Sequence, residues 1–270
     1  LRMARAYAAE KLPWFAPALY AARLVVTEVC PTAAIDEGMR VYFNPNLVAR
    51  LVGQGFVERA VPQLAFIWVH EISHCLRQHA ERCREKDADP SLWNIAADLE
   101  INDADWEGLE APQTFQHLLP WDFGLPDGKL AEFYYDKLQR PTTPVETDDE
   151  GEKEKATEEW DEGSGVHGQR REWELTDDEL QAPSLTDLEQ EVIRRAVAEE
   201  IVRHKNRGVI PAGWLRWAEE VLQPKVDWRE VLKRKVRGAI TIGTGQRVDY
   251  SLSRPHRRSE IYEPVLPPSL

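Results

Sequence analysis

No two cysteines in this chain stand at CxxC spacing: Cys30, Cys75 and Cys83 are isolated and odd in number. That argues against a disulfide framework and for a reducing compartment. No apolar run approaches the roughly 20 residues of a membrane helix. The start, LRMARAYAAEKLPWF, lacks the apolar core and small-residue cleavage site of a signal peptide, so a cytoplasmic protein without membrane attachment is expected. There is no internal repeat, which removes the solenoid architectures. Bases are plentiful towards the C-terminus, but no aromatic platform or reading helix accompanies them, so a nucleic-acid partner is not expected.

What the chain does have is core-forming material and an uneven charge. Hydrophobic residues make up 42% of 270 residues, enough for one large domain or two small ones, with ten tryptophans adding burial area. The formal net charge is -13. Ten acids against two lysines lie between Glu146 and Glu162, while fourteen bases against five acids lie between Arg203 and Arg258. Three regions are expected. They are a folded domain over 1–140, an acidic disordered linker over 141–182, and a basic helical region over 183–270 that balances the linker or lies against a partner.

Hydrophobic periodicity gives mostly helices and a few strands. Helices are expected over 1–12, through WFAPALYAARL, in NLVARLV up to Gly53 and Gly55, and as one long helix from Val61 to Arg84 with Pro62 in its first turn. Another follows over 87–104, with Asp89 as N-cap and Pro90 at its first position. LAEFYYDKLQR, 186–208, GWLRWAEEVL and DWREVLKRKVRGA complete the helices. LVVTEV, RVYFNP and VDYSLSRPHRR read as strands. Trp68, Trp93, Trp214, Trp217 and Trp228 fall at helical core spacing and are assigned to packing.

The stretch HEISHCLRQH, His70 to His79, sets three histidines and a glutamate within ten residues after the apolar run AFIWV. On a helix His70 and His74 lie one turn apart on one face, where two imidazoles can hold one zinc ion. Glu71 stands beside the first, where a carboxylate can take a proton from water. This is the HExxH arrangement. The plainer alternative is an ordinary helix whose histidines are hydrogen-bonded within the fold. His79 is read differently. At 100° per residue it points away from His70, and no glycine turn intervenes, so it is expected on the solvent side. Cys75 is expected in the core.

A catalytic zinc has three protein ligands and an open position. On the next helix Asn94, Asp98 and Asn102 form a polar stripe, with Leu92, Ile95, Ala96 and Leu99 on the buried side. Asp98 is the choice for the third ligand, with Asn94 and Asn102 orienting it or the histidines. Glu100 is the lesser alternative, and Asp103, Asp105 and His117 are weaker. Tyr134, Tyr135 and His117 are possible oxyanion donors, with core packing the commoner use of such tyrosines.

HEISHCLRQHAER followed by LWNIAADLEIND resembles the metallopeptidase domain that lies N-terminal to a von Willebrand factor A-like domain in many bacterial proteins. AAIDEGMRVYFNPNLV, GLPDGKLAEFYYDKL and GWLRWAEEVLQPKVDWREVL with DYSLSRPHRR are similar to further parts of it. The resemblance implies a zincin-like α+β fold, mostly helical with a small sheet beside the HExxH helix, a metal between the HExxH helix and the Asp98 helix, His70, His74 and Asp98 as ligands, and Glu71 as base. It implies hydrolysis of a peptide or protein substrate and a MoxR-type AAA ATPase partner. The chain stops at VLPPSL, where the A-like domain is expected to begin, so that domain is expected to be absent or truncated. RVYFNP or LVVTEV is expected to offer a substrate-pairing edge. The alternative function is an inactive, metal-stabilised adaptor working with the ATPase.

Overall fold

A computed structural model describes residues 1–53, 57–104, 106–113, 117–139, 163–176, 182–207, 210–223, 236, 249–255 and 262–265. The acidic stretch up to Glu162, Asp105, Trp228 and the helix read at 227–239 (apart from Val236) lie outside these residues. Leu1–Leu222 form one compact unit and Gln223–Leu270 a second. In the second, Asp249–Pro255 and Tyr262–Val265 make an antiparallel two-stranded ribbon.

The first unit is mostly helical with a small three-stranded sheet. Helices α1 (Arg2–Lys11) and α2 (Ala16–Ala21) precede strands β1 (Arg23–Val26), β2 (Ala33–Ile35) and β3 (Arg40–Phe43). The order in the sheet is β1-β3-β2, with β1 parallel and β2 antiparallel to β3. The strand expected in RVYFNP is therefore central and has no free edge, whereas the one in LVVTEV is an edge. Helices α3 (Pro45–Gly53), α4 (Val57–Leu76), α5 (His79–Lys86), α6 (Pro90–Asn102) and α7 (Ala131–Leu138) follow, then the one-turn helix Ser164–His167 and two long helices, Asp187–His204 and Ala212–Leu222.

Helix α4 is the centre of the unit. From Leu64 to Leu76 every side chain is buried, His70, Glu71, Ser73 and His74 included, because the run is otherwise apolar and is covered by α1 and by the β2–β3 hairpin. Its start lies at Val57, so Pro62 sits inside the helix rather than in its first turn. The capping expected at α6 is present: Leu92 N donates to Asp89 Oδ1 at 3.0 Å, with Pro90 next. Helices read from sequence as part of a region after 183 bury Val197, Ala198, Ile201, Trp214, Trp217 and Ala218 in the same core cluster as α1 and α4. Trp68 and Trp93 are also fully buried. Among the described residues no helix is long and apolar enough to cross a membrane.

The segment 163–176, expected within a loose linker, is packed. At its start the glycines lie close against the end of β2: a Cβ at Gly163 would come 2.5 Å from the Ile35 carbonyl oxygen, and Gly163 has φ +86° and ψ −178°, a region essentially closed to other residues. Ser164 N and Oγ donate to the two oxygens of Glu174, which closes the segment on itself. Gly163→Ala is expected to cost at least about 2 kcal/mol through strain and backbone overlap, lowering the Tm by about 4 °C or more for a unit of this size. Thermal unfolding followed by circular dichroism checks this, and an unchanged Tm would contradict the packing.

Candidate metal centre

Helix α4 carries His70, Glu71 and His74, and α6 carries Asp98. His70 Nε2 and His74 Nε2 face each other at 3.3 Å, and Asp98 Oδ1 lies 3.5 Å from each. All three side chains are buried, and Asp98 Oδ1 has no hydrogen-bond partner among the described residues. A buried carboxylate oxygen without a hydrogen bond is costly unless a cation or donor meets it. The spacing fits a cation: metal–ligand bonds of about 2.0–2.1 Å in a tetrahedron place ligand atoms about 3.3–3.4 Å apart. Two imidazoles and one carboxylate are also a donor set suited to zinc. Together these residues form a group that could hold a metal ion.

Burial holds His74 well below the usual imidazole range, and the charges of His70 and His79 push the same way. A neutral ring keeps a lone pair for coordination. Glu71 is buried beside the triangle, and its Oε2 has no hydrogen-bond partner among the described residues. Burial pushes its carboxyl up to about 8; His70 acts to lower it and Asp98 to raise it. Asp98 is the least buried of the four, with about a tenth of its side chain accessible, so the group opens on that side.

The structure does not put His79 on the solvent side. It is fully buried, with Nδ1 2.9 Å from His74 Nδ1. The extrapolation fails because the expected long helix breaks. α4 ends at Leu76, Gln78 takes a left-handed conformation (φ 55°), and α5 restarts at His79. A glycine was the sequence signal for such a turn; glutamine makes it here, with its Nε2 donating to Glu81 Oε2 at 2.9 Å. Left-handed backbone costs a residue with a Cβ roughly 1–2 kcal/mol, which the buried contacts of His79 offset.

The remaining candidates take other places. Asn102 does not orient the ligands through its amide nitrogen: Nδ2 donates to the Leu118 carbonyl at 3.0 Å and fixes the loop after His117. His117 packs edge-on against Phe66, whose ring stacks near His70. Burial lowers its basicity, as does the charge of His70, against Asp98. Glu100 is buried away from the triangle, between Arg77 and Arg82. Asp103 accepts from Gly128 N at 2.6 Å. Tyr134 donates to the Pro126 carbonyl, and Tyr135 accepts from Asp89 N, so both hydroxyls are used within the fold. Cys75 is buried, with Sγ 3.4 Å from the Asp36 carbonyl oxygen.

A largely helical unit that buries two imidazoles, a carboxylate and a neighbouring glutamate around one point has the make-up of a metal-dependent hydrolase centre. The chain belongs to the family described as "Putative metallopeptidase domain", whose model matches residues 1–269. No curated protein and no solved structure matches it.

Proposed function

We propose that this protein is a zinc-dependent peptidase of zincin-like architecture, in which His70, His74 and Asp98 hold the metal and Glu71 is the general base. The observation that carries the reading is the convergence of three donor atoms at 3.3–3.5 Å with a buried carboxylate alongside. Zinc in such a site polarises a carbonyl and brings the pKa of water to about 7. Glu71 takes the proton of the attacking water on its carboxylate and returns it to the leaving amide nitrogen. Burial raises its affinity for that proton, which suits a group that must accept and then release it near neutrality.

The substrate is a peptide or protein segment entering from the Asp98 side. The wider assignment follows the resemblance: a cytoplasmic protein with a MoxR-type AAA ATPase and a von Willebrand factor A-like domain as partners. The burial of His70, Glu71 and His74 also favours a second reading, an inactive adaptor whose metal is structural and whose fourth position is closed.

Metal analysis of the purified protein tests the site, and a peptide-library cleavage assay separates the two readings. About one zinc per chain and cleavage inhibited by chelation are expected; zinc without cleavage would favour the adaptor. Asp98→Ala removes one of three ligands and is expected to weaken zinc binding more than about 100-fold, beyond the 10–100-fold of losing a group that only orients a ligand. Competition with a chromophoric chelator measures it, and an unchanged affinity would remove Asp98 from the ligand set.

A further inference from the structure

His79 has no part in the metal triangle, yet the fold spends a left-handed turn and a fully buried position on it. Its backbone carbonyl accepts from Trp93 Nε1 at 3.1 Å, which pins the start of α5 to α6. Its ring stands between two groups. Nδ1 meets His74 Nδ1 at 2.9 Å, and Nε2 faces Glu100 Oε2 at 3.4 Å. Glu100 in turn receives Arg77 Nη1 at 2.6 Å, Arg82 Nη2 at 2.8 Å and the Ala131 N–H at 2.7 Å.

These contacts give the row a direction. Donors surround Glu100 on both oxygens, so it enters the row as an acceptor. A neutral imidazole carries one N–H and one lone pair. The N–H of His79 therefore lies on Nε2, towards Glu100, and its lone pair lies on Nδ1. The 2.9 Å contact then needs its proton on His74 Nδ1. That leaves the lone pair of His74 on Nε2, the atom facing His70 and Asp98. In the reverse arrangement an N–H on Nε2 would point into the triangle and close it to a cation.

We propose that His79 is a positioning residue which, anchored by Glu100, fixes the tautomer and ring orientation of His74 so that its Nε2 lone pair is presented to the metal. The proposal rests on the zinc reading above. A ligand imidazole usually gives its second N–H to a carboxylate, carbonyl or water; here a second imidazole stands between ligand and carboxylate.

The test compares His79→Asn with His79→Leu. The Asn side-chain oxygen falls near the position of the imidazole Nδ1 and can accept from His74, whereas Leu fills the space and accepts nothing. Both lose the contact to Glu100. Zinc affinity by chelator competition is expected to stay within about 3-fold of wild type in His79→Asn and to fall about 10–100-fold in His79→Leu. The visible spectrum of the cobalt(II) protein should follow the same order. A merely structural role would move both variants together in the melting of the metal-free proteins, without separating them in affinity. Equal weakening of the two variants, or full affinity in His79→Leu, overturns the proposal.

A measurement on the unmutated protein does not depend on either variant folding. In the zinc-loaded wild type, long-range ¹H–¹⁵N spectra should show His74 protonated on Nδ1 and His79 on Nε2; the opposite tautomers overturn the proposal. If wild-type protein binds no zinc, the metal reading itself fails, a result distinct from an unaltered affinity in the variants.

Discussion

Glu71→Gln is expected to abolish measurable peptide hydrolysis, a fall of about 10²–10⁴-fold in kcat, while zinc stoichiometry stays unchanged. Glutamine keeps the shape of the side chain and fits the same buried space, but its amide cannot take a proton from water. Because Glu71 is not among the three converging donors, removing its charge leaves the metal group whole. The change is more than neutral for the fold: burial already disfavours the ionised carboxyl, so an uncharged side chain is easier to accommodate there. The expected Tm is therefore equal to or above that of the wild type. Cleavage of a library peptide, zinc content and thermal melting on the same preparations check the three parts. Retained hydrolysis would remove Glu71 from the reaction; lost zinc would mean that it coordinates.

The sequence displayed the convergence of His70, His74 and Asp98 far better than their surroundings, and the reason lies in the range of the interactions. His70 and His74 share one unbroken helix, so their relation follows from helical pitch alone. Asp98 required only that the next helix pack against it, and the cap at Asp89 and the apolar spacing of α6 announced that helix. His79 was not legible, because its position depends on a backbone reversal at Gln78 that no glycine or asparagine marks. What stabilises that reversal lies elsewhere in the chain: Trp93 and Glu100, on α6. The packed segment at Gly163–Glu174 was hidden in a similar way. It follows directly on the acidic stretch and has few apolar side chains to mark it, and only the close approach of the Ile35 and Asp36 backbone gives its small residues a place to dock. The short strand β2 went unread because Ala33–Ile35 is too brief for an alternating pattern.

Glu100→Leu is expected to be the most destabilising single change away from the metal group. Arg77 is almost fully buried and Arg82 largely so, and both direct their guanidinium groups at this one carboxylate. Burial acts to raise the Glu100 carboxyl; the charge of Arg77, the approach of the His79 ring at 3.4 Å and the charge of Arg82 outweigh it and hold it well below the usual range. The carboxylate therefore stays charged and accepts from both arginines and from Ala131 N, at the start of α7. Leucine fills a similar volume but leaves Arg77 charged in the interior without its carboxylate partner, facing the Trp214 ring 4.5 Å away. Breaking a buried pair by removing one partner costs about 3–5 kcal/mol, or about 6–20 °C in Tm at this chain length. Arg82 supplies an internal comparison: its other partner, Glu132, is more than a third exposed, and Glu132→Ala is expected to cost no more than about 1 kcal/mol. Melting curves of the two metal-free variants measure the difference. Similar small losses in both would mean that α6 is held to α5 and α7 by its apolar face, through Trp93, Leu99 and Tyr134, rather than by the buried carboxylate.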